Sequence, residues 1–450
     1  MNRKEFEYFM KRGLGRCILE LKRNDNIEKF RDIVLKGCLN NYSYDTQCEG
    51  TRSEYMYVLQ SYYDDEEYFE DKIIKKFCGR TSNEWLFDHL ANLLYIFADE
   101  GSKKSYRAMI YKYNYMYVRL RKNTGKDTWK QFEWLCIWLV TLKGFDWFKK
   151  IVLDLADYYE RQAKRQAEPV SYSFDWFWSA CKEHCDEKEM VKFVVNSSRK
   201  GIRIFWDSLS DFVHEREGQT EKWQSDKKKK PEVPTAEQLI EECMMENDTV
   251  KYRRRILRLR FANCATDKQV RELAEIIIHL QDNKDLQAKL LEVFRNRMFP
   301  LDAEYLMGYA EDENMVLSKR SLEALSIVKD VRVKEYANML IQEKRNLPYA
   351  LVMIFSNYTK EDDGIILKLL KQQKISYKNG LWHWVFQRTL DWLEKNQDAP
   401  DAAVYYLYEN TLCSWCRESV VELMINRGLI TEDIRRECKY DSNSDIRDIV

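Results

Sequence analysis

Apolar residues recur every three or four positions along nearly the whole chain, which is the period of an amphipathic helix and not of a strand. In NEWLFDHLANLLYIFADE (83–100), Leu86, Leu90, Leu93, Leu94 and Phe97 share one stripe, and Asp88, Asn92 and Asp99 lie off it. That spacing predicts a helix. The stretch 318–344 predicts two, broken near Lys329–Asp330. Its first apolar set is Leu322, Leu325 and Val328; its second is Val333, Ala337, Leu340 and Ile341. Further helix pairs are predicted over 349–373 and 416–438.

Composition strengthens this reading. Fourteen Gly and six Pro among 450 residues are about a third of the usual share of roughly 12%. A β-rich chain needs those residues at its turns, so the scarcity favours helices joined by short connections. One segment breaks the period: HEREGQTEKWQSDKKKKPEVPTAEQ (214–238) is polar, dense in charge and holds two of the six prolines. The expected organisation is an aromatic-rich helical region over 1–213, a charged loop or linker over 214–234, and a regular helical region over 235–450. A second polar interruption at 160–173 divides the first region. Nine of the thirteen tryptophans precede residue 230.

The regular region resembles HEAT-type α-solenoid repeats. The resemblance is carried by LSKRSLEALSIVKDVRVKEYANMLI (317–341): an Arg precedes an apolar LEAL, an Asp marks the turn, and Val-Arg-Val opens the second helix. ENDTVKYRRRILRLRFANCATDKQVRELAEIII (246–278) follows the same plan, with Asn247 before its first helix and Asp267 before its second. The final DSNSDIRDIV looks like the first turn of another unit. No fixed period runs through the repeats. The resemblance implies an all-α fold of stacked antiparallel helix pairs forming a curved HEAT/armadillo-like α-α superhelix, whose concave surface holds another macromolecule.

Charge narrows the partner. Lys plus Arg and Asp plus Glu both total 74, whereas proteins that live on nucleic acid carry a basic excess to meet phosphate. The one dense basic run is KYRRRILRLR (251–260). At roughly 100° per residue, Val250, Ile256, Leu257, Leu259 and Phe261 gather on one side of that helix, and Lys251, Arg254, Arg255 and Arg258 form the opposite face. Arg253 and Arg260 fall inside the apolar arc. They are read as structural ion-pair formers, because a buried charge needs a partner. The outer quartet is the candidate partner-binding face, and its bland reading is a solvated back balanced by Glu241, Glu242 and Glu246. A second candidate is LWHWVFQRTLDWLEK (381–395), where Trp384, Arg388 and Asp391 stand at i, i+4 and i+7. An aromatic, a cation and a carboxylate together resemble what HEAT-like alkylpurine DNA glycosylases present to a damaged nucleotide.

Motifs for other chemistry are missing. Five His show no close metal spacing, and there is no GxGxxG, GxxxxGK[ST] or GxSxG. Cys181, His184 and Cys185 in CKEHC could share a helix face, and CSWC (413–416) carries a second thiol pair, but the charged segment separates the two and zinc is not expected. No cofactor is expected. Asp154 and Asp157 lack the Glu-x-x-His companions of a di-metal bundle. The alternating Tyr111, Tyr113, Tyr115 and Tyr117 read as a tyrosine-coated helix, and Glu133 as a buried carboxylate awaiting an Arg. The most apolar run, 132–148, carries Glu133, Lys143 and Asp146 and falls short of the roughly 20 apolar residues of a membrane span. Twelve scattered Cys, with no apolar leader at the start, suggest a reduced cytoplasmic protein. The expectation is therefore a non-catalytic scaffold with a protein partner, the alternative being a nucleic-acid-binding HEAT-like protein related to the glycosylases.

Overall fold

A computed structural model describes residues 1–23, 26–122, 128–165, 174–209, 233–245, 251–280, 283–373 and 380–450, with the backbone but not the side chains of Glu66 and 251–253. Among these residues every regular element is helical and no strand occurs. The linker 214–234, its lysine run Lys227–Lys230, Asn247 and Val250 lie outside the described residues except for 233–234.

The chain divides into two units. The first comprises Met1–Lys229, Leu412–Glu418 and Thr431–Val450; the second comprises Lys230–Thr411 and Ser419–Ile430. The regular region expected over 235–450 is therefore not one continuous body. Two of its segments join the first unit.

The first unit holds α1 (Arg3–Arg12), α2 (Arg16–Arg23), α3 (Arg31–Cys38), α4 (Thr46–Glu49), α5 (Ser53–Gln60), α6 (Glu66–Cys78), α7 (Glu84–Asp99), α8 (Lys103–Arg121), α9 (Trp129–Lys143), α10 (Phe145–Lys164), α11 (Asp175–His184), α12 (Glu187–Val195) and α13 (Lys200–Ser208). One row of packed helices runs α3, α5, α7, α9, α11; a second runs α6, α8, α10. Local chemistry sets the starts. Asn83 accepts from the Leu86 amide at 2.8 Å to open α7, and Ser102 caps α8, each satisfying a donor that the first turn leaves without an intrahelical partner. The α7 stripe read from sequence is the buried one: Leu90, Leu93 and Leu94 are fully enclosed. Where α13 crosses α10, a Cβ on Gly201 would meet the Ala156 carbonyl oxygen at 2.2 Å, so only glycine permits that approach.

The second unit holds α14 (Ala236–Met244), α15 (Lys251–Cys264), α16 (Asp267–His279), α17 (Lys284–Leu291) with a 3-10 turn Glu292–Arg295, α18 (Ala303–Ala310), α19 (Met315–Leu325), α20 (Val331–Gln342), α21 (Leu347–Ser356), α22 (Asp363–Gln372), α23 (Gly380–Lys395) and α24 (Asp401–Asn410). Here α14, α17, α19, α21 and α23 pack in succession, and α18 pairs with α19 and α20 with α21. The break expected near Lys329–Asp330 is real. The Asp330 side chain accepts from the Arg332 amide at 2.9 Å and starts α20. Before α16 the cap is Thr266, one residue ahead of the expected Asp267, and it forms a reciprocal box with Gln269.

Three helices end the chain: α25 (Ser414–Asn426), α26 (Glu432–Cys438) and α27 (Ser444–Ile449). Residues 431–450 lie against α1 and α2. The Ser442 amide donates to the Gly13 carbonyl at 2.9 Å, and a Cβ on Gly15 would sit 2.0 Å from the Glu437 carbonyl oxygen. Ion pairs and hydrogen bonds join this segment and 412–418 to each other and to the rest of the first unit. Arg417 meets Asp441 through two 2.8 Å bonds, both side chains fully enclosed; Arg16 meets Glu437 at 2.8 Å; and Glu49, paired with Arg52 at 2.7 Å, accepts from the Ser414 amide and hydroxyl.

Candidate functional site

The basic helix α15 sits in the opposite sense to the sequence reading. Arg254 is buried, whereas Ile256 and Leu259 are 36% and 39% exposed. The cause is local. The helix turns inward the two arginines whose partners are present on neighbouring segments. Arg254 donates to the Met245 carbonyl. Arg258 pairs with Glu292 at 2.5 Å and reaches the Cys243 sulfur at 3.8 Å. Of the proposed outer face only Arg255 is exposed, and the side chain of Lys251 lies outside the described residues. So does that of Arg253. Arg260 is half-buried, with no ion pair among the described residues.

Glu292 is also gripped by Arg320 on α19, and Arg320 reaches Glu323 at 2.7 Å. Burial works against the Arg320 charge, but Glu323 and Glu292 overcome it and hold its pKa above the usual arginine value. One face of the second unit thus carries alternating charge across α15, the turn after α17, and α19. These charges neutralise one another.

The α23 residues do come together. Arg388 lies 3.5 Å from Asp391 and donates to the Arg295 carbonyl at 2.9 Å; burial lowers its pKa, and Asp391 only partly offsets that. Trp384 is not presented to solvent. It is 5% exposed, with the Tyr349 ring 5.4 Å away and the Arg295 guanidinium 5.9 Å above its centroid. The three side chains share a helix face as the spacing required, but that face packs inward around the indole.

The first unit holds a surface that the sequence reading passed over. Trp85 on α7, Trp134 on α9 and Trp176 on α11 form a ladder, with centroids 5.9 and 6.2 Å apart. Its last rung, Trp176, is 70% exposed. A second pair lies on the same helices: Tyr95 stacks on Trp138 at 5.2 Å, and the Trp138 indole donates to Asp88 at 2.8 Å. Burial pushes the Asp88 carboxyl up to about 7 against that hydrogen bond. Lys130 and Glu84 pair at 3.2 Å. The available signal was a Trp near the start of alternate helices, visible only once those helices are known to be neighbours.

Other expectations resolve locally. Tyr113 and Tyr117 are buried while Tyr111 and Tyr115 are exposed, so α8 is coated on one side and packed on the other. Asp154 accepts from the Tyr113 hydroxyl at 2.7 Å and pairs with Lys150, whereas Asp157 pairs with Arg199. Glu133 is buried, as expected, and accepts from the Phe177 amide at 3.0 Å in the first turn of α11. Cys181 is buried and His184 exposed, so they do not line a common site. Among the described residues no helix is long and apolar enough to cross a membrane. No known protein family and no curated protein sequence matches the chain.

Proposed function

We propose that the protein is a non-catalytic helical-repeat scaffold, HEAT/armadillo-like in its stacking, which binds another protein through the tryptophan ladder of its first unit. The ladder carries this reading. Trp is the residue most enriched where binding energy concentrates, and an indole left 70% exposed beside two others is costly to keep in water without a use. Steps of about 6 Å suit an extended segment, since two residues of a polyproline-type strand rise about 6.2 Å. Nucleic acid is less well served. Arg258, Arg320 and Arg388 of the second unit are taken up by Glu292, Glu323 and Asp391, which leaves less uncompensated charge for phosphate. A glycosylase-like role would need Trp384 to stack on a nucleotide, and its ring is enclosed. Twelve thiols outside any disulfide fit a reducing, cytoplasmic setting.

The test is affinity capture from the source cell with the wild-type protein and with Trp176→Ala, each with and without nuclease. A protein retained by the wild type, lost with Trp176→Ala and indifferent to nuclease supports the scaffold reading. Retained nucleic acid, released by salt and by Arg255→Glu, overturns it. Released bases from alkylated duplex DNA would overturn the non-catalytic part.

A further inference from the structure

The charge on α8 runs against what a surface helix ordinarily carries. Its sequence holds six Lys and Arg and no Asp or Glu, although carboxylates one turn from their cations would stabilise it. Lys103 and Lys104 occupy its first turn, the end at which the helix dipole disfavours positive charge. At roughly 100° per residue, Lys103, Lys104, Arg107, Tyr111, Tyr115 and Val118 fall within one arc of about 120°, and all six are exposed. Tyr111 and Tyr115 keep 61% and 47% of their surface in water. Four residues apart, they stand about 6 Å from each other along the axis. Arg119 donates to the Tyr115 hydroxyl at 3.5 Å and so holds that ring. The helix belongs to the row α6, α8, α10 and not to the row that carries the tryptophan ladder.

Carboxylates of the flanking helices do little to neutralise this face. Asp71 on α6 takes Lys104, Asp154 on α10 takes Lys150 at 2.7 Å, and Asp157 and Glu160 are gripped by Arg199. Asp71 meets α8 at Lys104, and the Gly79 carbonyl accepts from Lys112 at 2.8 Å. The helix α6 therefore runs alongside α8 and brings Lys75 and Lys76 between those two levels. Lys75, Lys76, Lys103 and Arg107 are exposed and make no ion pair among the described residues; Glu67, at the start of α6, is the opposing carboxylate in the same condition. We infer that this face of the first unit binds single-stranded nucleic acid, with Tyr111 and Tyr115 stacking on bases and Lys103, Arg107 and the α6 lysines meeting phosphates. An acidic peptide would satisfy the cations but offer the two rings nothing flat to stack on. A duplex would hide the faces of its bases, whereas an unpaired strand presents both groups. This face is separate from the tryptophan ladder, and neither assignment depends on the other.

The experiment is fluorescence anisotropy of the purified full chain with a labelled oligouridylate, the matching oligothymidylate, a duplex of the same length and a poly-glutamate peptide. The expected result is binding of an unpaired strand that weakens steeply with added salt, with the duplex and the peptide held more weakly. The two single strands separate RNA from DNA, and binding of either supports the inference. Lys103→Glu with Arg107→Glu weakens binding by about tenfold or more. Tyr111→Ala with Tyr115→Ala weakens it by about fivefold or more. Lys268→Glu, at an exposed lysine of α16, changes nothing. A carboxylate at 103 suits the first turn of α8, and circular dichroism at wild-type helix content shows that lost binding is not lost folding. No binding of either strand, a duplex bound as tightly as the strands, or tyrosine variants that bind like the wild type overturns the inference. Poly-glutamate bound as tightly as the strands also overturns it and assigns the face to an acidic protein.

Discussion

Two adjacent residues of α7, Asp88 and His89, are buried with opposite consequences for pH. Burial raises the Asp88 carboxyl to about 7, so its folded value lies above its unfolded value near 4. The folded state then holds the extra proton, and stability is lost as pH rises from about 4 through 7. Burial lowers His89 to about 4, with the Gly37 and Cys38 backbone working weakly the other way. There the unfolded state holds the extra proton, and stability is lost as pH falls from about 6.5 through 4. Between those limits the two slopes cancel. Other carboxylates titrate over the same range, so the Asp88 contribution is read as the difference between the wild type and a variant. Asp88→Asn keeps an acceptor for the Trp138 indole and removes one slope: its urea midpoint should rise with pH relative to the wild type across that window. At pH 8 it should be more stable than the wild type by an amount on the order of 4 kcal/mol. A variant that tracks the wild type at every pH would show that Asp88 ionises normally.

Among the helices, the closest fits are made by glycine and by enclosed charge. Gly15→Ala drives a Cβ into the Glu437 carbonyl, where the gap is 2.0 Å and the obstacle is backbone that has no rotamer to yield. The cost is expected at the upper end of overpacking, about 3 kcal/mol, read as a drop in thermal midpoint with no change in helix content at 10 °C. Arg417 and Asp441, both fully enclosed, should behave non-additively. Asp441→Leu strands the guanidinium and costs about 3–5 kcal/mol, whereas Arg417→Met with Asp441→Leu recovers most of that, because no unpaired charge remains. Equal losses in the single and double variants would mean the pair contributes packing alone.

At the scale of the whole molecule, the C-terminal segment belongs to the unit that begins the chain. A chain ending at Ile430 loses Glu437, Asp441 and the Ser442–Gly13 bond together. Hydrogen exchange should then show α1, α2 and α5 losing protection while α19 to α21 of the second unit retain theirs. Uniform loss across both units, or none, would contradict the division described. Such a strap delays completion of the first unit until residues 431–450 have been synthesised, which is a topological cost that the short connections between consecutive helices do not carry.

Periodicity alone determined that the described residues are helical and, where one apolar stripe is clean, which side of the helix is buried, because a 3.6-residue repeat of apolar side chains has one way to exclude water. The Lys329–Asp330 break and the α7 stripe were legible for that reason. The facing of α15 was not. Its arginines lie on two faces, and Glu292 and the Met245 carbonyl, contributed by other segments, select the pair that turns inward. Trp384, Arg388 and Asp391 shared a face as spacing required, but burial of the indole depends on Tyr349 and Arg295 from distant positions. The tryptophan ladder was hidden because its rungs lie about forty to fifty residues apart and meet only when α7, α9 and α11 pack in sequence. Local pattern sets what a segment becomes; which groups meet is decided by packing, since contact energy depends on neighbours that the chain brings together only on folding.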